Sequence, residues 1–330
     1  MFESIETEYL RTIVLGSMTL QERLDGPFKP LGSPSPLAKT RLARWQQKIS
    51  PNTANGFSKR LGWLGSTPQD IVCLLDQGVY EGALPPWTRY LEQALAVAHA
   101  SQNTDPNHAI DDTAHAFGAL VAPFAQVGRD LITPVCKTLF SAQAIDQLVD
   151  ELMADLSHQA APTFYLMFSQ RRSQAPASPN PDSRHLYDTF IHDMLAGGME
   201  AAFLEYPVLA RLLTVLLEDW VTNTCEMAEA LSRDRQELAS VFADGHALGL
   251  VTNLELSLSD RHNGGKTVSI LLFSGGARIV YKPRDISIER AWFNLLAELN
   301  TLGGEFLLLR TLPKGGYGWV EAASPASCKT

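Results

Sequence analysis

The sequence predicts an α+β protein, with a mostly helical region over residues 1–245 and a five-stranded antiparallel lobe with one helix over 246–330. Three observations carry that expectation. Apolar residues recur at three-to-four spacing through the first three quarters of the chain, and no convincing strand pattern precedes about residue 250. Beyond that point the pattern becomes alternation, as in Leu254–Leu258, and β-branched apolar runs, as in Thr267–Phe273. Polar and glycine-rich clusters, Ser259–Gly265, Ser274-Gly275-Gly276 and Pro313–Gly316, separate these runs at hairpin distances.

In chain order, Gly26–Pro36 and Ser173–Ser183 are rich in proline and serine and read as loops. Leu37–Lys48, Trp87–Ala100 and Ala144–Ser157 carry helical spacing. Pro207 suits the first turn of a long helix, and Leu209, Leu213, Leu216, Trp220, Thr224, Met227 and Leu231 form its packing face, to which no chemistry is assigned. The predicted strands Leu254–Leu258, Thr267–Phe273 and Ala277–Tyr281 follow, with Lys282 closing the third before Pro283, which has no N–H to pair. Asp285 or Ser287 can cap the next helix, whose stripe is Ile288, Trp292, Leu295, Leu296 and Leu299; it ends near Asn300. Phe306–Leu312 and Tyr317–Ala322 then pair as a hairpin.

Composition narrows the function. The chain has 330 residues, 45% of them hydrophobic, which suffices for a core and about two domains. A formal net charge of −9 argues against a general nucleic-acid binder. Met1–Tyr9 holds Glu3, Glu6 and Glu8 rather than a basic start, and no apolar run approaches the roughly 20 residues that span a bilayer, so a cytoplasmic protein is expected. Cys73, Cys136, Cys225 and Cys328 are scattered without Cys-x-x-Cys or Cys-His spacing; neither disulfide nor zinc is signalled, and the first three are expected as buried thiols.

The chemistry concentrates in the last lobe. From Arg261 to Arg284 the chain holds Arg261, Lys266, Arg278, Lys282 and Arg284 and no carboxylate, a local positive balance that favours a polyphosphate ligand. Gly265-Lys266-Thr267 is not a Walker A loop: Asp260 stands where that pattern needs glycine, and a strand follows instead of a helix. What remains is a turn, Asp260–Gly265, whose Gly264 and Gly265 let backbone amides approach phosphate oxygens, with a plain polar turn as the alternative. Lys282 shares a strand face with Arg278 and Val280 and reads either as cleft-facing or as a solvated strand end. His262 has the chemistry of an acid or base near neutral pH and Asp260 can orient it, against a turn aspartate and a surface histidine. Glu289 and Glu298 are both candidates to pair with Lys282.

The order strand, turn, strand, turn, strand ending in lysine, helix is that of a kinase-like N-lobe. Ser259–Lys266, Val280–Arg284 and the Trp292–Asn300 helix, with Leu84–Trp87, Tyr206–Arg211 and Tyr317–Glu321, resemble the dehydratase domain of class II lanthionine synthetases, the LanM type. The resemblance implies a lipid-kinase-like fold with a helical N-terminal region. It further implies phosphorylation of Ser and Thr in a precursor peptide by ATP and Mg²⁺, followed by elimination of phosphate to dehydroamino acids. Asp260, His262 and Lys282 would be catalytic, and Gly264, Gly265, Lys282 and Arg284 would contact the nucleotide. The family's Asp-x-His-x-x-Asn segment, its later metal-binding aspartate and the zinc-binding cyclase are missing from these 330 residues. The chain therefore reads as the N-terminal portion of a longer synthetase, inactive alone, with a separately encoded C-terminal part as a candidate partner. The competing expectation is a non-catalytic scaffold that holds the leader peptide or complements the rest of the enzyme, with apolar residues such as Trp319 and Val320 left bare.

Overall fold

The computed structural model describes residues 7–50, 53, 55–101, 115–175 and 184–323. These fall into two compact units, one from the residues up to Glu92 with Gly197–Arg211, the other from Gln93–Ala196 with Leu212 onwards. Cys328 and residues 176–183 of the predicted loop Ser173–Ser183 lie outside the described residues.

The early elements are α1 (Thr7–Ser17), α2 (Leu20–Asp25), β1 (Phe28–Pro30), α3 (Pro36–Ile49), α4 (Gly56–Trp63), α5 (Pro68–Leu74), β2 (Gly78–Tyr80) and α6 (Thr88–Ser101). Their boundaries follow local chemistry. Thr19 with Glu22 and Thr67 with Asp70 form capping boxes at α2 and α5, and Ser35 caps α3 ahead of Pro36. Phe57, Leu61 and Ile71 make a small core under α3 to α5. The loop expected over Gly26–Pro36 contains a strand instead: β1 pairs antiparallel with β2, Phe28 opposite Tyr80. Three residues with one buried and two exposed side chains carry no alternation to read.

The middle of the chain supplies α7 (Gly118–Cys136), α8 (Ala142–Gln174), α9 (His185–Asp193), a π-helical turn (Met194–Gly198), α10 (Met199–Glu205) and α11 (Pro207–Phe242). The helix predicted over Ala144–Ser157 is the first half of α8, which continues through Pro162 to Gln174 and so takes the first residues of the predicted loop. α11 begins at Pro207, and Leu209, Leu213, Thr224, Met227 and Leu231 of its predicted packing face are buried. Among the expected buried thiols, Cys136 is buried, whereas Cys73 and Cys225 are half-buried. No helix among the described residues is long and apolar enough to cross a membrane.

The predicted five strands and one helix are present: β3 (Val251–Glu255), β4 (Ser269–Phe273), β5 (Arg278–Lys282), α12 (Ser287–Thr301), β6 (Thr311–Pro313) and β7 (Gly318–Glu321). All pairings are antiparallel in the order β3-β4-β5-β7-β6. One sheet face, with Leu254, Leu271, Phe273, Ile279, Tyr281 and Trp319, joins Leu148 of α8 and Met227 and Leu231 of α11 in a single core. Full burial of each such side chain is worth about 1.5–3 kcal/mol, so this packing is what holds the sheet to the helices. The opposite face carries Glu255, Arg278, Val280 and Lys282 at intermediate exposure.

Three expectations for this lobe are corrected. The first strand lies earlier than Leu254–Leu258, ending at Glu255, and Ser257 beyond it has a left-handed backbone that breaks the regular extended run. Of Phe306–Leu312 only the end is strand, and Phe306, Leu307 and Leu308 are exposed. Trp319 and Val320 are buried, not bare; the bare apolar residues are on α12, where Ile288, Trp292, Leu295 and Leu299 are exposed and Leu296 alone of the stripe is buried.

Candidate functional site

The strand that ends in Lys282 and the helix that follows it build the first cluster. Alternation along β5 buries Ile279 and Tyr281 and leaves Lys282 on the other face. After Pro283 the chain turns: the Asp285 carboxylate accepts from the Ser287 N–H at 2.8 Å, and α12 starts. Ile286 is fully buried against Gly318, the residue opposite Lys282 in register, and leaves no room there for a Cβ. This anchored start puts Glu289 in the first turn of α12, where its Oε2 accepts from Lys282 Nζ at 2.8 Å and its Oε1 pairs with Arg284. Glu289 is therefore the partner of Lys282, and Glu298 is exposed. The two side chains are only 21% and 20% exposed, which makes the pair far less screened than a surface ion pair. Burial pushes the Glu289 carboxyl up, but the hydrogen bonds and charges of Lys282 and Arg284 outweigh it and hold the group below its ordinary value.

The loop between β3 and β4 builds the second cluster. Asn263, Gly264 and Gly265 have left-handed backbones, with φ of 44°, 78° and 79°, and His262 and Lys266 close the turn through backbone bonds of 3.1 and 2.8 Å. Asp260, His262, Gly264 and Gly265 are all exposed. The turn lies against α11: Asn223 Nδ2 donates to the Gly264 carbonyl at 2.7 Å, and Asp219 Oδ1 stands 3.4 Å from where a Gly264 Cβ would be. Ser257 donates to Glu151 and Arg261 pairs with Asp155, both on α8, while Lys266 Nζ meets Glu226 of α11 at 2.6 Å.

The two clusters are separate. Gly265 and Tyr281 line one cavity on the α11 side of the sheet, whereas Lys282, next along β5, points to the other side. The structure thus joins Lys282 with Arg284, and Asp260 with His262 and the glycines, but does not bring the two sets together.

Folding also changes the electrostatics inferred from the sequence. Each of the five cations between Arg261 and Arg284 has a carboxylate partner: Asp155 for Arg261, Glu226 for Lys266, Glu255 for Arg278, and Glu289 for both Lys282 and Arg284. The positive run in sequence is a set of ion pairs in space. Asp155, Glu226, Asp219 and Asn223 were invisible to motif reading. Their only signal was a polar row at helical spacing beside an apolar stripe, the same pattern as any solvated helix face.

Residues 206–330 match a family model described as a domain of unknown function, DUF4135. That match takes in α11, the whole five-stranded sheet, the Lys282 cluster and the β3–β4 loop, but not the α8 partners Glu151 and Asp155. No curated protein matches the sequence.

Proposed function

We propose that this chain is the N-terminal portion of a lanthipeptide dehydratase of the LanM type, with residues 246–330 as its kinase-like nucleotide lobe. One observation carries the reading: the ion pair of 2.8 Å between Lys282 at the end of a central strand and Glu289 in the first turn of the next helix. Kinase folds use such a strand-lysine to helix-glutamate pair to present the lysine to nucleotide phosphates. The matched domain supports the reading, since it is one found in LanM-type proteins.

ATP fits the first cluster. Lys282 is within reach of solvent and Arg284, 55% exposed, adds a second cation to the same carboxylate, so two charge-assisted donors are available to phosphate oxygens. When bound, the nucleotide supplies the phosphoryl group for a peptide hydroxyl. Lys282 and Arg284 would bind and orient phosphate, and Gly264 and Gly265, on the other side of the sheet, are given no part in holding it. Asp260 and His262, in the separate cluster, would serve proton transfer only in the elimination step. Among the described residues no three His, Cys, Asp or Glu side chains gather as a metal site.

The exposed face of α12 favours a role with a partner. Ile288, Trp292, Leu295 and Leu299 recur on one side of the helix, and Leu302, Phe306, Leu307 and Leu308 continue the apolar surface. A patch of this kind marks an interaction surface. It sits on the helix that carries Glu289, so a partner packed there would lie beside the Lys282 pair.

Nucleotide binding tests the assignment. A fluorescent ATP analogue titrated with magnesium should bind the wild-type chain, and Lys282→Ala should weaken it at least about tenfold, since a charged hydrogen bond is worth roughly 1.5–3 kcal/mol. Equal affinity for the two proteins would remove Lys282 from the site.

A further inference from the structure

The cavity under the β3–β4 loop is not used by the chemistry above. It measures about 380 Å³, within the range of ligand sites, and lies between one face of α8, one face of α11 and the loop. Its floor is apolar, from Leu148, Leu216, Trp220, Met227 and Leu256. Its walls carry four carboxylates, Glu151 and Asp155 from α8 and Asp219 and Glu226 from α11, against two cations, Arg261 and Lys266, both from the loop. Three of the four acids are occupied: Glu151 by Ser257, Asp155 by Arg261 and Glu226 by Lys266.

Asp219 is different. Among the described residues it has no hydrogen-bond or ion-pair partner, although it lines the cavity beside Trp220 and Leu216 and burial pushes its carboxyl up. Asp219 is half-buried, and a cation that brings its own apolar stem can pair with it while covering the apolar wall beside it. Lysine and arginine side chains have that construction. The aromatic wall of Trp220 adds a surface on which such a stem or its charge can lie.

We infer that this cavity binds a peptide by taking a lysine or arginine side chain, its aliphatic stem against Leu216 and Trp220 and its charge on Asp219. The excess of two carboxylates over cations makes the site complementary to a basic residue and hostile to an acidic one. Calling the ligand a peptide rests on the dehydratase reading. On that reading the same loop that roofs the cavity carries Asp260 and His262, so a peptide held here by one basic residue lays its neighbouring residues along that loop.

The test is fluorescence anisotropy on the full chain with three labelled, end-blocked peptides that differ at one position: Ser-Leu-Lys-Leu-Ser, the same with norleucine, and the same with glutamate. The lysine peptide should bind at least about tenfold more tightly than the norleucine peptide, Asp219→Asn should erase that difference, and Asp219→Lys should transfer the preference to the glutamate peptide. Equal binding of the lysine and norleucine peptides, or an unchanged preference in Asp219→Asn, overturns the inference. Unfolding midpoints of both variants at or above wild type verify that they fold. Nucleotide binding is read separately: selective peptide binding without any effect of Lys282→Ala on nucleotide would sink the dehydratase reading alone, and the reverse result would sink this one alone.

Discussion

Replacing the two partners of the Lys282–Glu289 pair one at a time should give unequal losses of stability. Glu289→Gln leaves two cations, Lys282 and Arg284, facing a neutral amide in a site where Lys282 is 21% exposed. Lys282→Met keeps an apolar stem of similar length and leaves Arg284 on Glu289. Breaking a fully buried pair costs roughly 3–5 kcal/mol and an exposed one about 0–1 kcal/mol. With both side chains about four-fifths buried, Glu289→Gln belongs between these limits, at about 2–3 kcal/mol, and Lys282→Met at about 1 kcal/mol. At roughly 2–4 °C per kcal/mol for a unit of this size, thermal midpoints should fall by about 4–12 °C and about 2–4 °C. The difference also depends on pH. The folded carboxyl of Glu289 titrates below its ordinary 4.5, so the pair's contribution is present above that value and is lost as pH falls through the lower folded pKa. Thermal unfolding by circular dichroism at neutral pH and at about pH 3, well below the ordinary glutamate pKa, checks both points. Equal losses for the two variants, or a gap between wild type and Glu289→Gln that widens in acid, would refute the assignment of Glu289 as the shared partner.

Asp234 is buried and accepts from Trp319 Nε1 at 2.8 Å, Tyr317 Oη at 2.9 Å and Lys314 Nζ at 3.2 Å. Asp234→Ala should cost about 3 kcal/mol by stranding buried donors, and hydrogen exchange should show the β6–β7 hairpin loosened first. In the first unit, Arg211 holds both oxygens of Glu22 at 2.6 and 2.7 Å and depresses its carboxyl to about 2. Glu22 is 43% exposed, so after solvent screening Arg211→Met should cost only about 1 kcal/mol. The loss should be full above pH 4.5 and vanish as pH falls toward 2, read as unfolding midpoint against pH. Trp292→Ser with Leu295→Ser should weaken binding of a catalytic lobe supplied in trans, read by sedimentation velocity, while changing stability by less than about 0.5 kcal/mol, because both residues are already exposed.

Much of the lobe was legible because its period changes. Alternation from Arg278 to Lys282 alone tells which residues face the helices, and the order of strands and helix followed from turn clusters and Pro283. α11 was legible from Pro207 and a long apolar row. Two kinds of feature escaped. Short elements such as β1 have too few residues for a period, and the alternation of Leu254–Leu258 runs past the end of β3 at Glu255 and through a left-handed residue, Ser257. Charge balance escaped for a different reason. The run Arg261–Arg284 contains no acid, yet Asp155 and Glu226 arrive from helices 106 and 40 residues away in sequence, and only the packing of the loop on α8 and α11 reveals them. The same packing separates the glycine turn from Lys282, which sequence order places in one line.

The most direct test of a dehydratase role is the intact mass of a co-expressed precursor peptide, measured with this chain alone, with a catalytic lobe supplied in trans, and with that lobe plus Lys282→Ala. Phosphorylation followed by elimination predicts about +80 Da or about −18 Da per modified residue when the lobe is supplied, and its loss in Lys282→Ala. An unmodified peptide in every mixture, or modification that survives Lys282→Ala, would contradict it.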